Sequence, residues 1–263
     1  MWRKTVGERQ DLLLAFAFLA LVILAEVALM FGSFSAGLVI HILTLFCLIS
    51  VASIVYSWTP ELSRLLVALT LVPLIRIFSL STPYWPFADT LVWLAVISVP
   101  MLAAAVATIY VQKLKRSDYG FVLGPLKHLP IQAGIVLLGI PLGLLEYFIL
   151  RPDAWISDAA LGTVIFGALA IILGTGVAEE LIFRGIILYD SSTVMGWPRS
   201  IVYVSLLFAA MHVGFLSVVD LLFVFLVGLF FAYSVYKTRT LVGVIGCHSL
   251  LNIVLYLAAP FIF

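Results

Sequence analysis

Long apolar runs constrain this chain more than any single motif does. A helix that crosses hydrocarbon needs about 20 mainly apolar residues, and such runs cover 12–32, 36–57, 63–80, 90–111, 131–150, 160–180, 199–214, 216–236 and 241–261. The sixth is expected to continue as helix to about residue 190, and the seventh is short. Turn formers separate the runs at Thr59-Pro60, Ser81-Thr82-Pro83, Leu129-Pro130 and Gly196-Trp197-Pro198. Pro100 and Pro141 fall inside runs, where lipid-embedded helices tolerate a kink. Across the chain 64% of residues are hydrophobic and 10% charged, against about 45–50% and about 25% in soluble domains. A water-soluble globule of 263 residues cannot hide that much apolar surface, so lipid must act as part of the solvent. The expected fold is all-α: a polytopic transmembrane helix bundle of 8–9 spans forming a single membrane domain, 1–263. Residues 1–111 supply four spans of unassigned role, and 131–261 supply the remainder. The first run exceeds a signal-peptide core and is expected to be a retained anchor.

Basic residues orient such a bundle. With the N-terminus cytoplasmic, Arg3, Lys4, Arg9, Arg64, Lys113, Lys115, Arg116, Lys127, Arg199, Lys237 and Arg239 all fall on the cytoplasmic side. Only Arg151 falls outside, while Arg76 and Arg184 lie within or near the membrane. An integral protein of the plasma membrane is expected, with its C-terminus outside. A net charge of +1 and the lack of a long basic run exclude nucleic acid as a partner. Cys47 and Cys247 sit in apolar runs and imply no disulfide framework.

Against this apolar background, VAEELIFRG (Val177 to Gly185) places two carboxylates and an arginine where desolvation is expensive. FAAMH (Phe208 to His212) and HSLLN (His248 to Asn252) add polar groups on two later runs. At the helical rise, Glu179 lies roughly 16 Å from the cytoplasmic end of its helix, His212 roughly 20 Å, and His248 and Asn252 roughly 10 and 16 Å. Overlapping depths are what one shared site requires. Residues four apart share a helix face, pairing Glu180 with Arg184, Phe208 with His212 and His248 with Asn252. Glu179 points about 100° from Glu180. Glu180 can therefore neutralise Arg184 while Glu179 faces a cavity as a general base, with His212 helping to hold a water. Donors from His248 and Asn252 can stabilise an oxyanion, and Phe208 can wall the space. These are parts for hydrolysing an amide without a covalent intermediate.

EELIFRG, FAAMH and HSLLN, in this order on successive helices, resemble the EExxxR, FxxxH and HxxxN motifs of the CPBP (Abi) family, intramembrane proteases related to the type II CAAX prenyl endopeptidase. The resemblance covers roughly 130–260. It implies that Glu179 activates the water, that His212 helps hold it, and that His248 and Asn252 stabilise the oxyanion. It also implies a peptide or lipidated-protein substrate, with the C-terminal tail of a prenylated protein as one form, reached from the cytoplasmic side. No cofactor is favoured. Glu179, His212 and His248 can supply zinc ligands, but the HExxH spacing is missing and each group already has a metal-free role.

Two other functions fit parts of the same sequence. A non-catalytic immunity or partner-binding protein of this family would use the polar groups only to join helices. A proton-coupled transporter would be built on Glu26, Arg76 and Glu146, which fall at similar depths with His41 a little further, although no inverted repeat accompanies them. The plainer reading of Arg76 is an ion pair with Glu26 or Glu146. Asp220 is expected near the outer interface, hydrated. The basic loop 112–130, with Tyr119, Phe121 and Leu123, is expected to fix topology at the headgroups.

Overall fold

The computed structural model describes residues 2–82 and 90–263, with side chains from Arg9 onward. Pro83, part of one expected breaker, and the Arg3 and Lys4 side chains lie outside the described residues. Among these residues there are helices and no strands. Eight helices are long and apolar enough to cross a membrane: α1 (Arg9–Gly32), α2 (Phe34–Val55), α3 (Pro60–Ser81), α4 (Thr90–Gln112), α5 (Leu126–Leu150), α6 (Leu161–Met195), α8 (Val218–Thr238) and α9 (Val242–Phe261). Between α6 and α8 lies the shorter α7 (Trp197–Ala210). The protein is an integral membrane helical bundle.

Prolines act where their chemistry demands. Pro73 and Pro141 remove the hydrogen bonds to the carbonyls of Leu69 and Leu137, and α3 and α5 change register at Thr70 and Leu138. Each helix nonetheless continues across the break.

One end of the bundle gathers the basic residues. Gln112 Nε2 donates to the Arg64 carbonyl at 3.0 Å, and Leu241 N donates to the Gly120 carbonyl at 2.9 Å. The Thr240 hydroxyl donates to the Val122 carbonyl, and the Arg239 guanidinium lies 4.4 Å over the Trp197 ring. At the opposite end Trp155 stacks on Tyr256 at 3.7 Å, and Phe263 meets Tyr147 and Phe148. α8 returns to the basic end, so α7 and the turn after it must travel away from that end. With 14 residues, α7 reaches only about 21 Å. It covers that distance only together with the turn that follows it.

α6 is the central pillar. Ile182, Ile186, Ile187 and Leu188 are wholly buried, whereas Leu161, Ile165 and Leu169 near its start face lipid. α4, α7, α8 and α9 pack around its middle. Its ladder widens to i→i+5 bonding over Ile172–Val177 and Leu181–Ile187, on both sides of Ala178–Glu180. Such turns cluster at functional positions.

α9 is drawn against α5 by Gly139 and Gly143, a small-xxx-small pair. A Cβ at either would strike the carbonyl of Cys247 or Leu251 on α9. Gly143→Ala is therefore expected to destabilise the protein by about 1–3 kcal/mol through overpacking. Gly134→Ala, which meets nothing within 4 Å, should be neutral or stabilise by up to about 1 kcal/mol. Unfolding in mixed micelles compares the two, and equal behaviour would remove the packing explanation.

Candidate active site

The three motifs meet. α6 brings Glu179, Glu180 and Arg184; the end of α7 brings Phe208 and His212; α9 brings His248 and Asn252. Glu179, His212, His248, Asn252 and Phe208 line one cavity of about 310 Å³. Glu180 and Arg184 stand behind it, with side chains 0% exposed.

Glu180 is the structural hub. Its Oε1 accepts from Arg184 Nη1 at 2.9 Å and from His248 Nδ1 at 2.7 Å. One carboxylate thus neutralises the arginine and fixes the imidazole. The Arg184 guanidinium also lies 4.0 Å over the Phe208 ring, so Phe208 shields a buried cation as well as walling the cavity.

Because Glu180 takes the Nδ1 proton, His248 turns Nε2 toward Glu179, 4.0 Å from its Oε2. The Glu179 side chain is 24% exposed, into the cavity. His212 lines the same cavity as Glu179. The His212 ring is fixed differently. The Phe208 carbonyl can only accept, so His212 Nδ1–H donates to it at 2.8 Å, leaving Nε2 with a lone pair. The Asn252 carboxamide, one turn beyond His248, lines the cavity with no hydrogen bond to a described residue.

Glu179, His212 and His248 do not gather as a ligand set. Among the described residues no three His, Cys, Asp or Glu side chains could hold a metal ion together.

Other polar groups line the space. Arg76, Thr175, Glu146 and Tyr256 are cavity residues. Arg76 pairs with Glu26 and not with Glu146: its Nε donates to Glu26 Oε1 at 2.7 Å, and His41 Nε2 meets the same oxygen at 3.1 Å. Three members of the transporter scheme thus close on one another, and Glu146 stays apart. Asp220 is fully buried, which corrects the hydrated position expected for it; Ser217 caps its backbone N–H at 3.2 Å. The sequence marked Glu146 and Arg76 as intramembrane ions. It carried no sign that Tyr256 or Thr175 would face the cavity.

Among the lining residues, Ser79, Thr90, Trp155 and Phe215 lie toward the Trp155–Tyr256 end, and Phe215 is 45% exposed.

Neither a curated protein nor a solved structure matches the chain. Residues 161–254, the segment that holds all three motifs, do match the family model described as Type II CAAX prenyl endopeptidase Rce1-like, so the resemblance carried by EELIFRG, FAAMH and HSLLN stands over that segment.

Proposed function

We propose that this chain is an intramembrane endopeptidase in which Glu179 activates the attacking water. The observation that carries the reading is the convergence of an uncommitted carboxylate, two imidazoles of fixed orientation and a free carboxamide on one cavity inside an apolar bundle. The Rce1-like segment supports the same general activity. In this scheme Glu179 takes a proton from water while His212 Nε2 accepts a hydrogen bond from that water. The water oxygen adds to the peptide carbonyl, and the oxyanion lies against the Asn252 side-chain N–H and against His248 as an imidazolium, whose Nδ1–H stays on Glu180 while Nε2–H meets the oxyanion. Collapse breaks the C–N bond, and Glu179 returns its proton to the leaving amine. No metal enters the scheme.

The substrate class is a peptide segment near the membrane surface, and the Rce1-like match makes a lipidated C-terminal tail its most specific form. Positive residues favour the cytoplasmic face, and in this reading the substrate approaches from the cytoplasmic side.

Incubating the purified chain with a farnesylated CAAX peptide and an unlipidated control tests the activity. Release of the C-terminal tripeptide is expected, at an undiminished rate after chelator treatment. Release from neither peptide would count against the endopeptidase. Loss on chelation that only zinc restores would overturn the metal-free chemistry.

A further inference from the structure

α7 stops inside the bundle, and a helix that stops leaves its last carbonyls without intrahelical donors. In hydrocarbon no water can serve them, so other groups must. Two of these carbonyls, those of Phe208 and Met211, flank the placement of His212. The His212 ring serves the first through Nδ1. Arg76 Nη2, from α3, serves the second. Arg76 is itself held by Glu26 of α1, wholly buried, which His41 of α2 also contacts. Three helices of the N-terminal part thus converge on the one turn that carries His212. Arg76 also lines the cavity, its side chain 22% exposed. Both Arg76 and Glu26 lie outside the Rce1-like segment, 161–254.

We propose that Arg76 is a positioning residue that caps α7 from outside and sets the His212 imidazole, and that this is a task of the first three helices. The proposal rests on the endopeptidase reading for its catalytic meaning but not for its geometry. Lysine cannot replace the fork, because one ammonium does not reproduce the two directed contacts made by Nε and Nη2.

The test combines histidine-selective 15N NMR with kinetics on the full chain in nanodiscs. The chain has four histidines; His212→Asn identifies the His212 signals, and His128 serves as an internal reference. Arg76→Gln is expected to move the His212 ring resonances while leaving those of His128 in place. In the peptide assay it should lower kcat by about 100-fold, the scale of a small misplacement, with KM changed by less than about two-fold. Arg76→Lys should retain most of the defect. Arg151→Gln, a cation at the same end, should match wild type. Glu26→Gln, which loosens Arg76 without removing it, provides a gentler variant if Arg76→Gln fails to fold, and a smaller change in the same direction is expected.

Unmoved His212 resonances in folded Arg76→Gln, or in Glu26→Gln where that is the folded variant, would overturn the proposal. So would a loss confined to KM, which would make Arg76 a substrate contact. If wild type cleaves neither peptide, the endopeptidase reading falls, and the resonances alone then decide whether Arg76 positions His212.

Discussion

Glu179→Gln should lower kcat by about 10²–10⁴-fold, the range a positioned general base contributes, and should leave the protein folded. Both halves follow from where the side chain sits. Glu179 accepts no hydrogen bond from a described residue, its nearest cation-capable neighbour is 4.0 Å away, and it opens into the cavity. Glutamine fills the same volume without a charge to desolvate. The bundle therefore loses nothing it depends on, while the water loses its proton acceptor. Initial rates against a cleavable peptide, set beside an unfolding curve, separate the two. A variant within ten-fold of wild type would place the base elsewhere. A variant that is inactive because it no longer folds would make Glu179 a structural ion. A non-catalytic immunity protein would keep its phenotype through this change.

Arg184→Ala should show the opposite pattern, destabilising the bundle by about 3–5 kcal/mol, because it strands Glu180 as a buried, unpaired charge. Arg184 is 1% exposed, and its loss also empties the space above Phe208. Replacing both partners, as Glu180→Leu with Arg184→Met, should recover much of that stability, since an apolar pair of similar volume avoids the desolvation of both ions. Recovery should not extend to cleavage, because His248 would lose the acceptor at 2.7 Å that orients it. Denaturant titration in micelles, with the peptide assay in parallel, reads both outcomes. A stable single variant would show that the pair is solvated and not a buried hub.

Much of this architecture was legible because lipid leaves a chain few options. The apolar runs marked every helix, including the short α7, and each breaker among the described residues fell at or near a helix end. The site was legible as a set of residues: four positions on three helices, supported by Glu180 and Arg184 at a spacing that pairs them. Its internal arrangement was not. Helical rise gives height and leaves rotation open, so the 4.0 Å approach of His248 to Glu179 was not legible. The partner of Arg76 was equally hidden, since Glu26 and Glu146 stand at similar heights and only the packing of α1 against α2 and α3 chooses between them. Asp220 misled because its distance from the apolar centre suggested water, whereas α5 and α8 enclose it.

The two wide turns that bracket Ala178–Glu180 give α6 a broken phase. Each shifts the azimuth of everything beyond it relative to a regular ladder, so a wheel drawn through Leu161–Ile171 does not continue into Leu188–Met195. The upper segment can turn its bulk to the acyl chains while the lower one is enclosed on all sides, and neither orientation dictates the bearing of the two carboxylates between them. A pillar of this kind lets surface chemistry and reaction chemistry drift independently along a single rod.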